Sequence, residues 1–259
     1  YEGTPHCNYL PFDPLSHPNA LRDAVADNKE YRPPVDTIQQ SLFSYAIDDD
    51  LMDRSQEKQK AGTIDAADIA LRLLDEGRGP SEEEREVLAG FTGWGAHPSE
   101  FANDYSRNRL VAKLGDDAAA SAAQSTATSH YTDPRIAKAL WSALEKAGFE
   151  GGKILEPGMG AGFFVGTMDE TVRGNSSIVG VERDVTAAAV AKALYPEATV
   201  IENDLVKTAL PDGSFDLAVG NVPFAKTAPY DPRYKNAKPT LHNYFILRSL
   251  DAVRPGGVV

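Results

Sequence analysis

Four consecutive residues, Asn221, Val222, Pro223 and Phe224, end an apolar run that begins at Phe215. A strand that ends this way delivers a side-chain amide and a flat apolar ring to one edge of a sheet. The proline ring fixes its own φ and stiffens the turn between them. An amide beside an aromatic face suits a flat, polar-edged ring such as a nucleobase.

A second chemical stretch lies upstream. Glu156 closes a short apolar run and is followed by Pro157, Gly158, Gly160, Gly162 and Phe163. Alternate glycines let backbone approach a ligand closely, though plain strand-to-helix turns also collect glycines. The spacing is neither that of the dinucleotide fingerprint nor that of a P-loop, and no lysine follows, which disfavours a triphosphate. Glu156 sits at the C-terminal end of its strand, where open α/β sheets bind ligands. A carboxylate there suits a ligand with a cationic amino-acid part. The next apolar run ends in Glu182, Arg183 and Asp184. Glu182 is placed to accept from ribose hydroxyls, while Asp184 reads as the cap of the following helix. A third run ends in Asp204 and Leu205, an acceptor for an exocyclic amine beside an apolar contact for its ring; taken alone, this is also a plausible surface turn. Three successive strands ending in carboxylates form a pattern that no single turn explains.

These residues need a sheet to carry them. Apolar runs at 153–156, 177–182, 198–202, 215–220 and 256–259 alternate with helical segments near 163–170, 185–194 and 240–253. That alternation predicts a Rossmann-like α/β fold: a parallel sheet with helices on both faces. Asp133-Pro134 opens a helix before the first strand, with Ile136, Ala139, Leu140 and Leu144 as its expected apolar face. Residues 1–114 read as a mainly helical N-terminal region with an extended, proline-punctuated arm over 1–60 and short helices near 18–28 and 36–47. Within it, a helix is expected over 65–76, and Ser81 with Glu84 forms a capping box for another reaching about residue 89. The Phe91-Thr92-Gly93-Trp94-Gly95 turn reads as a tight turn anchored by its tryptophan, or as a docking surface. Residues 115–128, rich in Ala, Ser and Thr, are the expected linker, though their alanines also suit part of a helix, and 129–259 the ligand-binding core.

Composition bounds the function. The 259 residues carry 38 acidic and 26 basic side chains, a net charge of −12, which counts against a generally basic nucleic-acid-binding face. A local patch remains: Lys226, Arg233, Lys235 and Lys238 interleave with Tyr230 and Tyr234 just past Phe224. They are expected to contact a substrate backbone, unless the loop is simply solvated. The single cysteine excludes an internal disulfide and points to a reducing compartment, hence the cytoplasm. No apolar run is long enough for a membrane span. His97, His130 and His242 are scattered without paired ligand spacing, so no metal site is expected. His130 is expected to shape the ligand pocket and His242 to pack beside the Asn221 loop.

The series resembles a class I S-adenosylmethionine-dependent methyltransferase, and within that class the N6-adenine DNA methyltransferases of gamma-like motif order. Ser129 to Pro134 resembles motif X, Glu156 to Gly162 motif I, Glu182 motif II, Asp204 motif III and Asn221 to Phe224 motif IV. Leu241-His242-Asn243-Tyr244-Phe245 and Arg254 to Val259 resemble the next helix and strand. With Arg78 to Glu84 and the Phe91–Gly95 turn added, the set is similar to the methyltransferase part of phage and mobile-element methyltransferase–helicase polypeptides, including antirestriction-type proteins. The resemblance implies S-adenosyl-L-methionine as cofactor, held by Tyr131, Thr132, Glu156, Pro157, Gly158, Gly160, Gly162, Phe163, Glu182, Arg183, Asp204 and Leu205. It implies DNA as substrate, contacted by Lys226, Lys235 and Lys238. It further implies helicase-like and target-recognition domains in the same bacterial or phage-encoded polypeptide.

Two departures stand out. Val222 replaces the usual proline, at a position that contributes its backbone carbonyl. The sequence also reaches only a fifth strand where the class has seven, so the chain is expected to be part of a larger one. In the implied mechanism Asn221 and the Val222 carbonyl hold the adenine amine, Pro223 stiffens the turn and Phe224 stacks on a flipped base. The same tetrapeptide serves RNA adenine or a protein glutamine, and a non-catalytic cofactor- or DNA-binding module remains an alternative.

Overall fold

The computed structural model describes residues 46–259. The short helices expected near 18–28 and 36–47 lie outside the described residues, apart from Ala46 and Ile47, which are not helical.

Helix α1 runs from Gln56 to Glu76, with Ser55 as its N-cap and Gly77, at φ 63°, as its left-handed stop. It starts nine residues before the expected Asp65, because the cap lies at Ser55 and Gly62 is carried inside the helix. A Cβ at Gly62 would come within 2.9 Å of the Gly90 carbonyl oxygen, so the glycine there serves a close backbone approach. The capping box at Ser81 and Glu84 opens α2, Glu82–Leu88. Helices α3, Asp104–Leu114, and α4, Asp116–Ser125, follow.

The expected linker is therefore largely a helix. Alanine is the strongest helix former, Asp116 and Asp117 suit the positive helix end, and Ala118, Ala119, Ala122 and Ser125 are buried. Helix α5, Pro134–Lys146, begins where Asp133 caps it. Its buried face differs from the expected one. Pro134, Ala137 and Trp141 face the core, and Leu144 is only partly buried. Ile136 and Leu140 stay 56% and 46% exposed. The indole decides the rotation: Trp141 fills the core and its N–H donates to the Phe164 carbonyl at 2.8 Å.

Five parallel strands follow: β1, Lys153–Glu156; β2, Ser177–Glu182; β3, Thr199–Glu202; β4, Phe215–Ala218; and β5, Val253–Val258. Their order is β3-β2-β1-β4-β5. Strand β5 begins earlier than the 256–259 run suggested, because Val253 pairs with Phe215 before an irregularity and Val258 then pairs with Leu217. The helical segment near 163–170 divides into α6, Phe163–Gly166, and α7, Glu170–Gly174, because Asp169 caps a new start. Helix α8, Val185–Leu194, is buried on nearly every side between the sheet and α1. Its small residues and the alanines of α1 let the two helices approach closely. Helix α9, Leu241–Ala252, leads into β5. The α1–α5 helices and the sheet share one hydrophobic core. Among the described residues no helix is long and apolar enough to cross a membrane.

Candidate active site

The strand order reverses between β1 and β4, and ligands bind open α/β sheets in the crevice at such a point. One cavity opens there. Glu156, Pro157, Gly158, Gly160 and Phe163 line it after β1, Glu182 and Arg183 after β2, and Asp204 and Leu205 after β3. Tyr131 and Thr132 close it from the segment before α5, and Asn221 and Pro223 enter from beyond β4. Gly162 does not line the cavity. With φ at 82° it makes the turn into α6, and a Cβ there would meet the Tyr195 ring at 2.6 Å. Val222, Phe224, Lys226, Lys235 and Lys238 also lie outside the lining.

The Glu156 and Glu182 carboxyls on the β1–β2 side are enclosed, while Arg183 is exposed. Glu156 is 2% exposed and its Oε2 has no hydrogen-bond partner. Burial, reinforced by the Glu182 charge, pushes its carboxyl well above the usual carboxylate range. Glu182 accepts from the Gly160 N–H at 2.7 Å and from the Asp184 N–H at 2.7 Å. Desolvation outweighs those bonds and pushes its acid up to about 7. The Tyr131 hydroxyl is buried without a partner and is pushed upward by burial and by the Glu182 charge. Asp184 caps α8, and Asp204 caps the short helical turn Leu205–Lys207.

This donor set has a definite selectivity. Three carboxyl groups, a phenol and the glycine-loop backbone face apolar Phe163 and Leu205, with Arg183 as the cation at the wall. It favours a ligand carrying a positive charge and hydroxyl donors over a phosphate. The orphaned Glu156 Oε2 and Tyr131 hydroxyl are the groups such a ligand satisfies.

The β4 side is built differently. A Cβ at Gly220 would stand 3.5 Å from Glu156 Cγ and 3.7 Å from Pro157 Cδ, an ordinary contact that keeps the two loops adjacent. Asn221 donates its side-chain N–H to the His130 carbonyl at 3.1 Å. Its Oδ1 is thereby the end free to accept. The Val222 carbonyl accepts no hydrogen bond from the described residues. Phe224 is 64% exposed, and its ring lies 6.0 Å from that of His242 at an interplanar angle of 32°. The basic loop divides. Arg233 pairs with Asp212 at 2.6 Å and Asp251 at 3.1 Å, and the Tyr234 hydroxyl donates to Asp251 at 2.5 Å. Those two groups are engaged within the protein. Lys226, Lys235 and Lys238 are exposed and form no ion pair among the described residues. Lys238 has φ 42°, a left-handed backbone unusual for a residue with a side chain.

Several wall residues escaped the sequence pattern. Phe245 packs over Gly158, 3.3 Å from where its Cβ would stand, and Leu241 lines the same side. Met159 donates its N–H to the Val181 carbonyl at 3.0 Å, and its side chain occupies the space a Cβ at Gly180 would need. A glycine in mid-strand signals such close packing, and Gly180 was the readable sign of it. Among the described residues no cluster of three or more His, Cys, Asp or Glu could hold a metal ion.

Residues 155–228 match the family model described as a methyltransferase domain. That span is similar to a methyltransferase domain and lies on a Rossmann-like parallel sheet. S-adenosylmethionine is the cofactor of this domain, and its cationic amino acid and ribose hydroxyls fit the donor set. The matched span runs from the glycine loop through Phe224. A curated relative, the Defense against restriction protein B of Escherichia phage P1, is 29% identical over 197 residues. The match takes in 74% of this chain and 7% of that protein's length. Among solved structures, the type I restriction-modification system methyltransferase subunit of Streptococcus thermophilus is similar at 16% identity and a TM-score of 0.43, over 92% of this chain and 62% of that one. A Listeria monocytogenes protein described as a class I S-adenosylmethionine-dependent methyltransferase is similar at 18% identity and a TM-score of 0.42, over 79% and 73%.

Proposed function

We propose that the protein transfers the methyl group of S-adenosylmethionine to the N6 amine of adenine in DNA, on a base turned out of the duplex. One observation carries this reading: the Asn221 amide nitrogen is held by the His130 carbonyl at 3.1 Å, in the cavity that also holds the cofactor residues. An amide fixed in that sense presents an acceptor, and an exocyclic amine offers donors. The phage P1 relative, named for defence against restriction, supports DNA as the polymer. Its length is consistent with further domains, helicase-like and target-recognising, alongside this chain in a cytoplasmic, bacterial or phage-encoded polypeptide.

Adenine's amine is a weak nucleophile because its lone pair is delocalised into the ring. Asn221 Oδ1 and the Val222 carbonyl accept its two N–H bonds and draw the nitrogen toward a tetrahedral shape. Bound S-adenosylmethionine supplies an electrophilic methyl carbon on a positively charged sulfur. With it bound, the amine would gain the N–C bond, the electron pair of the C–S bond would stay with sulfur, and one N–H proton would leave to solvent. Phe224 stacks on the base, worth about 1–3 kcal/mol, against an unstacking cost of a few kcal/mol. Positioning and fixed dipoles carry the rate.

The test uses the full-length protein with labelled S-adenosylmethionine and DNA. Label is expected in adenine, with Asn221→Ala slower by about 10²–10³-fold, as for loss of one preorganised polar contact. Equal transfer by both proteins overturns the role of Asn221. Label in RNA or in protein glutamine, and none in DNA, moves the acceptor to those classes.

A further inference from the structure

We infer that the Gly93-Trp94-Gly95 turn is a template that sets both halves of the site: Gly93 seats Tyr131 against the cofactor loop, and Gly95 seats His130, whose carbonyl orients Asn221. The second half rests on the methyl-transfer reading above; the first does not.

The turn itself is firmly held. Trp94 is fully buried, and its indole N–H donates to the Thr186 hydroxyl at 2.9 Å. Thr186 in turn donates to Asp184, the cap of α8. The Trp94 ring meets Phe91 edge-on at 6.2 Å and Phe101 at 5.7 Å. The Thr92 N–H donates to Thr63 of α1 at 3.0 Å. The turn is thus fastened to α1 and α8, two helices of the core.

The segment it supports has no regular structure of its own. Residues 129–133 run without helix or strand between α4 and α5. Gly95 donates its N–H to the Ser129 carbonyl at 3.1 Å. A Cβ on Gly95 would overlap that carbonyl oxygen and stand 3.0 Å from His130 Nδ1. A Cβ on Gly93 would overlap the Tyr131 ring and stand 2.8 Å from Ser129 Oγ. Tyr131 then reaches the glycine loop: its hydroxyl is 2.9 Å from where a Cβ of Gly160 would lie, and its ring meets Phe163 edge-on at 4.8 Å. His130 reaches the substrate side through the bond from Asn221. Two missing side chains, two residues apart, therefore define the position of one wall shared by cofactor and acceptor.

The consequence is a division of effects. Gly95 lies outside the left-handed region, so alanine there acts through contact alone, whereas Gly93 sits at φ 79° and alanine also strains the backbone. Both are positioning residues. In the full-length protein, Gly93→Ala is expected to weaken S-adenosylmethionine binding at least tenfold by calorimetry. Gly95→Ala is expected to keep cofactor affinity within about twofold while lowering kcat at least tenfold, since a displacement of about 1 Å costs on the order of a hundredfold. Thermal unfolding with cofactor absent reports whether each variant is folded. Trp94→Phe, which keeps a buried ring but removes the bond to Thr186, is the milder variant and should lower kcat with a smaller loss of stability. A folded Gly95→Ala protein with unchanged kcat and KM overturns the inference. So does Gly93→Ala binding the cofactor like the unmodified protein. Calorimetry needs no methyl acceptor, so the Gly93 arm stands even if the unmodified protein leaves DNA unlabelled, a result that would count against the adenine reading instead.

Discussion

On the β1–β3 side of the cavity the Glu156 and Glu182 carboxyls are enclosed, Glu182 bonded to the glycine loop and Glu156 Oε2 unpartnered; beyond β4 the side chains stand at the surface. Glu182 is tied to the Gly160 backbone at 2.7 Å, and Glu156 is 2% exposed. Phe224 and Tyr230, by contrast, are 64% and 78% exposed, and three nearby lysines carry no ion pair among the described residues. A small ligand can saturate the first region, because its partners are all supplied by one folded core. The second region offers apolar faces and cations spread along a loop, which only a large, extended partner can cover. On the reading proposed above, the contrast separates a preformed pocket from a surface that would gain its contacts on association.

The largest effect is expected where the enclosed side is strained directly. Gly160 has φ 57°, and an added Cβ would lie 2.9 Å from the Tyr131 hydroxyl. Gly160→Ala should cost about 1–2 kcal/mol of stability from the left-handed backbone and slow transfer by on the order of a hundredfold through displacement of the loop. Denaturant unfolding and cofactor calorimetry check it, and a variant with normal cofactor affinity would show the loop to be less rigid than its bonds imply.

Next in size is a pH effect on the same side. The folded protein holds the Glu182 acid at about 7, against an ordinary 4.5. Between those values the folded state binds a proton that the unfolded chain releases, so stability falls as pH rises through the window and is level above it. Glu182→Gln removes that cost. Its unfolding free energy should exceed that of the unmodified protein by up to about 2–3 kcal/mol at pH 8 and converge with it near pH 5. Parallel stability curves for the two proteins across that range would place the proton elsewhere.

On the open side Phe224→Ala should behave in the opposite way. Removal of an exposed ring is expected to change stability by less than about 0.5 kcal/mol while weakening binding of a turned-out base about tenfold, within the range for base–aromatic stacking. A fluorescent adenine analogue at the target position reads this directly. Lost stability with unchanged fluorescence would make Phe224 a packing residue.

The two regions were also unequally legible in the sequence. Strands β1 and β2 and helix α8 fall where the apolar runs predicted, because each is buried on both faces and its pattern is local. The strand-end acids and the glycine loop were readable for the same reason: each follows its strand directly. What depended on distant partners was not. Arg233 reads as a free cation until Asp212 and Asp251 are brought to it by the fold. The apolar stripe of α5 misled because residue type alone cannot show that Trp141 takes the core and turns Ile136 and Leu140 outward. The 115–128 segment reads equally as a linker or as part of a helix, because small residues look undemanding until α8 packs against them. Gly93 and Gly95 were visible as a turn, but their use lies in the approach of Ser129 to Tyr131, which no spacing within the turn records.

The smallest effect tests the open side against its own internal control. Lys226, Lys235 and Lys238 are exposed and unpaired among the described residues, while Arg233 on the same loop is held by Asp212 and Asp251. If the lysines meet phosphates, each Lys→Ala substitution should lower the slope of log affinity against log salt by about one, with a few-fold loss of affinity at physiological salt. Arg233→Ala should leave the slope unchanged and instead lower stability by up to about 1 kcal/mol, as for a partly exposed ion pair. The two readouts exchange roles if the loop is oriented the other way. A slope that falls with Arg233→Ala and holds with all three lysines removed would show that the acids release the arginine on binding, and that the lysines only keep the loop solvated.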